Sequence, residues 1–390
     1  MKIGIYSPHM STYGGGEKYL LKIAEVLQKQ NSVEFIVLQK PNVNQLETRL
    51  NVDLSGVTFR QLRIPNVVNR LSYLRVFLNV YFLSNITKEY DLFLTQGDGK
   101  YACVPSQAKY SFYISQVPLK ETRNVSFPQK VKRVLANFFF DPKLVTYDEI
   151  IVYSNYVKKF NERYYGRSIK ILWPPIDNIP VLRKKNIILS VGRFFIGGHC
   201  KKQFEMINAF KQLSLSNIDW EYHVVGGVTD DEKNTQYLET CKQEAMGFPV
   251  YFHVNTPFKL LKRLYGNSKI FWHATGLNED ESEHPERMEH FGITTGEAMS
   301  AGCVPIVINK GGQPEIVRHG VQGYLWEGVE ELIKYTSELM HNEMQLKKMS
   351  EASIQMIRKL GAEKFCNDVS AIFSPPILIL TTNDDRKEVK

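Results

Sequence analysis

The 390-residue sequence predicts an α/β protein built from two doubly wound halves. Three observations carry that prediction. Short β-rich apolar runs alternate with amphipathic segments, the pattern of parallel strands joined by helices. A proline cluster breaks the alternation near the middle of the chain. The length exceeds what one hydrophobic core ordinarily serves.

Taken in order, the strand-like runs are Lys2–Ser7, Val33–Leu38, Val57–Leu62, Asp91–Thr95, Tyr110–Ser115 and Glu149–Tyr153. The break is Trp173-Pro174-Pro175-Ile176-Asp177-Asn178-Ile179-Pro180. Three prolines in so short a span oppose helix and central strand alike, so the segment reads as a linker. Beyond it lie Asn186–Val191, Glu221–Val225, Val250–His253, Lys269–His273 and Val304–Ile308. Six strands and then five are enough for two sheets. Glu343–Phe373 reads as two closing helices. Met349, Ile354, Met356, Ile357 and Leu360 line the first, Gly361 ends it, and Phe365, Val369, Ile372 and Phe373 line the second.

The charge is unevenly placed. Residues 1–180 carry 24 Lys and Arg against 14 Asp and Glu, whereas residues 181–390 carry 25 against 27. A basic first half calls for an anionic partner or is a generic basic surface. Five scattered cysteines show no paired or zinc spacing, which suits free thiols in a reducing compartment. No secretory-type segment precedes the first strand, and no run approaches the roughly 18 apolar residues of a spanning helix. These features set the expectation of a cytoplasmic chain. Two stretches set basic residues beside bulky apolar ones: Val67–Ile86, with Arg70 and Arg75, and Lys130, Lys132 and Arg133 ahead of Val134–Phe140. That composition suits a helix lying on a membrane surface, or one packed against the first sheet.

Four motifs stand out, three of them where strands end. Tyr13-Gly14-Gly15-Gly16-Glu17-Lys18-Tyr19 follows the first strand and opens a helix. Its glycines allow close backbone approach to a ligand, or make a plain turn, and they lack the Gly-x-Gly-x-x-Gly dinucleotide fingerprint. Val191-Gly192-Arg193 ends the first strand of the second half, with Lys201-Lys202-Gln203 shortly after. Cations placed there can neutralise a diphosphate leaving group, or form a solvated basic loop. Glu289-His290-Phe291-Gly292-Ile293-Thr294-Thr295-Gly296-Glu297 sets two carboxylates eight positions apart around a loop that becomes a helix over Thr294–Ser300. The free N–H groups at that helix start suit phosphate, and ionised carboxylates suit sugar hydroxyls. Glu297 alone would also fit as a charge supporting the helix N-terminus. Gly311-Gly312-Gln313-Pro314-Glu315 makes a further glycine turn after the next strand. His199, His273, His284 and His290 lie near this cleft without metal-ligand spacing, so no protein-held metal is expected.

In this order the motifs resemble the family 4 retaining glycosyltransferases, the glycosyl transferases of group 1, and the resemblance covers most of the chain. Gly14-Gly15-Gly16-Glu17 looks like the family's acceptor-side glycine loop. Ser154-Asn155-Tyr156-Val157 and Trp173-Pro174-Pro175-Ile176-Asp177 are similar to its entry into the interdomain linker. Ser190-Val191-Gly192-Arg193 with Lys201 resembles its diphosphate-binding Arg and Lys, and Glu289 through Glu297 matches its Glu-x7-Glu motif.

The resemblance implies a GT-B fold, with two Rossmann-like domains facing a cleft and a last helix crossing back to the first. It sets an acceptor domain at residues 1–177, a donor domain at 178–360, the crossover at 361–378 and a polar tail at 379–390. Glu289 would bind donor-sugar hydroxyls and Glu297 the ribose, while Arg193 and Lys201 neutralise the diphosphate. Backbone at Phe291, Gly292 and Ile293 would hold phosphate and sugar, and Gly15 and Gly16 would approach the donor phosphate and the acceptor. Gln116, in Tyr113-Ile114-Ser115-Gln116-Val117-Pro118, stands where many members carry histidine, and with Glu17 falls on the acceptor side.

The implied activity is metal-independent transfer from a nucleoside diphosphate sugar to a glycan or lipid-linked acceptor, with no cofactor required. It would take place in the cytoplasm or at the inner face of an anionic membrane, with no nucleic acid as partner. Because Gln cannot shuttle a proton, the alternative is a non-catalytic sugar-nucleotide-binding subunit.

Overall fold

The computed structural model describes residues 1–8, 10, 14–62, 83–97, 104–120, 146–216 and 219–374. Tyr13, most of Val67–Ile86, the Lys130–Phe140 stretch and the polar tail lie outside the described residues.

Strands β1 (Lys2–Tyr6), β2 (Ser32–Val37), β3 (Val57–Gln61), β4 (Leu92–Gly97), β5 (Tyr110–Ser115), β6 (Glu149–Val152) and β7 (Lys170–Ile171) form one parallel sheet. Its order is β3-β2-β1-β4-β5-β6-β7. Strands β8 (Lys185–Val191), β9 (Glu221–Gly226), β10 (Val250–Val254), β11 (Ser268–His273), β12 (Val304–Ile308) and β13 (Tyr324–Trp326) form a second parallel sheet, ordered β10-β9-β8-β11-β12-β13. Central strands such as β12 are buried along their whole length, as expected where helices cover both faces.

Helices of the first half include α1 (Gly15–Leu27), α2 (Val43–Leu50) and α3 (Asn155–Tyr165). Those of the second are α4 (Gln203–Ser214), α5 (Glu232–Glu244), α6 (Phe258–Asn267), α7 (Ile293–Ser300), α8 (Gln313–Ile316), α9 (Val329–Met340), α10 (Glu343–Lys359) and α11 (Ala362–Phe373). Local chemistry sets several ends. The Ser154 side chain accepts from Val157 N–H to start α3, and Gly166 closes it in the left-handed region at φ 65°.

Among the described residues the sheets hold seven and six strands, where the sequence pattern predicted six and five. The added strands, β7 and β13, are two and three residues long and lie at sheet edges. Runs that short carry no readable period, and pairing with a neighbouring strand defines them. Helix α7 starts at Ile293 and not at Thr294. Gly361 is the N-cap of α11 and does not end α10, which stops at Lys359.

Helix α11 returns to the first half. Phe365 lies 6.2 Å from the ring of Tyr19 in α1, and Phe373 lies 4.9 Å from Phe112 in β5. The linker is laid along α7: Ile179 N–H donates to Ser300 Oγ at 3.1 Å, and that hydroxyl donates to Asp177 O at 2.9 Å. Gly296 has no side chain because Ile176 Cδ1 lies 2.6 Å from where its Cβ would be. In each sheet the strand order reverses beside the first strand, between β1 and β4 and between β8 and β11. Ligands of open α/β sheets bind beyond the carboxyl ends of strands at such switch points.

Candidate active site

The second switch point holds the expected cations and one of the two carboxylates. Gly192 and Arg193 follow β8, and His273 ends β11. Lys201 lies just before α4 and packs over Gly192, where an added Cβ would come within 2.6 Å of its Cγ. Its ammonium donates to Glu289 Oε2 at 2.6 Å. His273 Nε2 meets the same oxygen at 2.9 Å. A carboxylate only accepts, so Nε2 carries the proton and Nδ1 is bare; that Nδ1 is buried without a partner. Burial raises the Glu289 carboxyl, but the Lys201 charge and the His273 hydrogen bond outweigh it and hold Glu289 well below the usual carboxylate range. Arg193 is exposed, and among the described residues its guanidinium has no carboxylate partner. The structure therefore joins Lys201 to Glu289, while the Arg193 guanidinium is not bonded to Glu289.

The loop carrying Glu289 is shaped by glycines. Gly292 caps α7 at φ 102°, in the left-handed region, so the leading N–H groups of the helix meet no capping side chain. Gly311 sits under the loop at φ 63°, where a Cβ would come within 2.2 Å of Glu289 O. Gly312 N–H donates to that same carbonyl at 2.7 Å. Phe291 is buried and its ring lies 5.8 Å from that of Trp173 in the linker. Ser154 Oγ donates to His290 O at 2.6 Å from the first domain. Glu315 reaches back across the interface and accepts the N–H groups of Asn155 and Tyr156 at 2.9 and 2.7 Å, capping α3. The glycine turn after β12 thus serves as structure, supporting the Glu289 loop and clasping the domains.

Glu297 is buried on α7, four residues past the helix start, where it does not cap the N-terminus. Its oxygens accept from Lys18 Nζ at 2.8 Å and from the Tyr265 hydroxyl at 3.1 Å. In the first domain, Gly15 comes within 3.5 Å of Ile293 Cδ1 as measured from its Cβ position, which sets the start of α1 against the start of α7. Gly16 leaves room for the Gln116 amide, 2.6 Å from where a Cβ would be, and that amide donates to Gln96 at the end of β4. Glu17 turns back on its own helix and accepts Gly14 N–H at 2.7 Å.

Lys18 and Asp177 stand within sequence motifs that give them no role of their own, and Tyr265 lies outside every motif. Gln313 was named only as part of a turn, yet its amide is buried with neither atom bonded, 3.0 Å from where a Gly292 Cβ would be. Such orphaned groups are few in native structures, and each calls for an explanation.

The imidazoles beside Glu289, of which His273 is buried and His199 and His290 are half-buried, give a pH dependence. Burial is the largest influence on His199, His273 and His290, and it holds all three below the ordinary histidine range. The unfolded chain takes up these protons near the ordinary value of about 6.5 and the folded chain does not. The unfolded state then binds more protons, so stability falls as pH drops below about 6.5. For His273, which is 3% exposed, the slope is up to about 1.4 kcal/mol per pH unit. Glu289 adds a further loss at lower pH, as the medium falls through its depressed value. Urea midpoints should therefore decline from pH 7.5 to pH 5, and a flat profile would contradict the depressed protonation of these rings in the folded chain.

Residues 176–356 match the family model described as Glycosyl transferases group 1. The chain is 23% identical over 241 residues to the GDP-Man:Man(3)GlcNAc(2)-PP-Dol alpha-1,2-mannosyltransferase of Dictyostelium discoideum, covering 57% of this chain and 46% of that protein. It is 26% identical over 289 residues to the alpha-1,3/1,6-mannosyltransferase ALG2 of Homo sapiens, covering 66% of each. The chain spans about half to two thirds of the length of these curated relatives. The crystal structure of Anabaena HepE in complex with UDP and glucose superposes with a TM-score of 0.68 at 15% identity, covering 95% of this chain and 99% of that one. Residues 176–356 are a group 1 glycosyl transferase domain, carried on a chain of GT-B fold.

Proposed function

We propose that the chain is a retaining glycosyltransferase that moves a sugar from a nucleoside diphosphate sugar to a hydroxyl of a lipid-linked glycan. The observation that carries this reading is the Glu289–Lys201 pair at the second switch point, beside the uncapped start of α7. The donor diphosphate lies against Arg193, Lys201 and the leading N–H groups of α7. These groups neutralise the charge that builds as the bond from the anomeric carbon to the phosphate oxygen breaks and its electron pair passes to the diphosphate. Glu289, held ionised by Lys201 and His273, accepts from the sugar hydroxyls and positions the ring. The acceptor oxygen attacks from the face the diphosphate leaves, and its proton passes to the departing phosphate oxygen, so no protein base is needed near Gln116. Charge neutralisation by the chain's own cations makes the reaction metal-independent.

The two curated relatives are both mannosyltransferases, and the name of one includes GDP-Man and a PP-Dol-linked glycan. GDP-mannose and a polyprenyl diphosphate glycan are accordingly the first substrates to test. The basic first half suits a diphosphate-bearing acceptor at an anionic membrane surface, with the chain peripheral on its cytoplasmic face. Among the described residues no helix is long and apolar enough to cross a membrane.

The test incubates the chain with GDP-mannose, UDP-glucose or UDP-N-acetylglucosamine and a short polyprenyl diphosphate glycan, with and without EDTA. A new glycosidic bond with the donor's anomeric configuration, formed equally well in EDTA, is expected. An inverted product overturns retention, and loss in EDTA overturns metal independence. Donor binding without turnover would favour a non-catalytic subunit.

A further inference from the structure

The Glu297 carboxylate is engaged by side chains from both domains. Lys18 Nζ donates to its Oε1 at 2.8 Å and also to Asp177 Oδ2 at 2.8 Å, while the Tyr265 hydroxyl donates to Oε2 at 3.1 Å. Lys18 is 8% exposed and Glu297 4%. Lys18 stands on α1 in the first domain, Asp177 in the linker, and Glu297 and Tyr265 in the second domain. One buried ammonium thus joins three parts of the chain at the cleft. Burial works against its charge, but Glu297 and Asp177 outweigh it and hold the ammonium above the ordinary lysine range. The ring of Phe258, at the start of α6, lies 5.5 Å from the ammonium and shields it.

The charges in this group do not balance. One cation faces two carboxylates, which leaves one negative charge in excess. An ionised carboxylate offers about four acceptor sites, and among the described residues Glu297 accepts two side-chain bonds. The spare capacity suits a pair of hydroxyl donors, which a ribose diol supplies. Lysine has no acceptor, so toward the carboxylate it serves only to hold it aimed.

We propose that Lys18 is a positioning residue that orients Glu297 for the donor's ribose and, because it stands on the first domain, makes ribose binding and domain closure one event. Opening the cleft takes Lys18 from Glu297, and Asp177 in the linker is its partner in the open state. The proposal rests on the reading of Glu297 as the ribose-binding carboxylate.

Calorimetry on the full chain tests both ideas separately. The probes are UDP, GDP, their 2′,3′-dideoxy forms, and pyrophosphate, which has no ribose. The wild type should bind its preferred ribonucleotide at least about tenfold tighter than the dideoxy form, as expected for hydrogen bonds to a charged group. Lys18→Met should collapse that preference with pyrophosphate binding unchanged, and Lys18→Arg should restore most of it. X-ray scattering should show the wild type contracting on nucleotide addition and Lys18→Met failing to contract. A wild type indifferent to the ribose hydroxyls overturns the Glu297 reading. A discriminating wild type whose preference survives in Lys18→Met overturns the role of Lys18 alone. Where Lys18→Met fails to fold, the double variant Lys18→Met/Asp177→Asn removes one of the two stranded carboxylates and reads the same ratio.

Discussion

Glu289→Ala should lower kcat/KM for sugar transfer by about 10²- to 10³-fold, equivalent to roughly 2.7–4 kcal/mol of transition-state stabilisation. The reason lies in what meets at one oxygen. Glu289 Oε2 takes Lys201 at 2.6 Å and His273 at 2.9 Å, leaving Oε1 and the remaining lone pairs for the sugar. Alanine removes the acceptor and also strands Lys201, whose side chain is 17% exposed. Breaking one side of a largely buried pair is costly to the fold as well, by about 3 kcal/mol. Glu289→Gln separates the two effects. It keeps the shape and one acceptor oxygen, so unfolding should shift less than in Glu289→Ala, yet the amide cannot neutralise Lys201 and transfer should stay low. Steady-state kinetics with urea unfolding of both variants checks this. Full transfer by either would remove Glu289 from the site.

Much of the fold was legible because its causes are local. Central parallel strands are apolar along their length, so β1, β5 and β12 could be read from composition, whereas β7 and β13 are only as long as their pairing with a neighbour and could not. The site divides in the same way. Glu289 and Glu297 stand out through spacing around a glycine and a helix start. The partners of Glu297 do not, since Lys18 is 279 positions from Glu297 in sequence and 159 from Asp177, and no period connects residues so far apart. Gly311 shows the limit most clearly. The sequence shows a turn, but glycine is demanded by the Glu289 carbonyl, 2.2 Å from where a Cβ would stand, and that carbonyl arrives only when the second domain has folded.

The two cations should fail differently, and the difference tests the division of labour at the diphosphate. Lys201→Ala removes a charge from the leaving group and the counter-charge of Glu289 together. Transfer should fall by about 10²- to 10³-fold, and stability should fall by about 3 kcal/mol because a carboxylate with a side chain only 14% exposed loses its ammonium. Arg193 is exposed and pairs with no carboxylate among the described residues. Arg193→Ala should therefore leave unfolding within about 0.5 kcal/mol of wild type, while still costing about 10²-fold in transfer if its guanidinium meets the diphosphate. Arg193→Lys should recover only part of that loss, since a point charge cannot reproduce a bidentate contact with phosphate oxygens. Kinetics set beside urea midpoints for the three variants gives the answer. An Arg193→Ala chain of normal stability and normal activity would leave Lys201 and the α7 N–H groups as the whole of the leaving-group site. A Lys201→Ala chain of normal stability would mean that Glu289 finds another partner, and that the pair at 2.6 Å does not organise the loop.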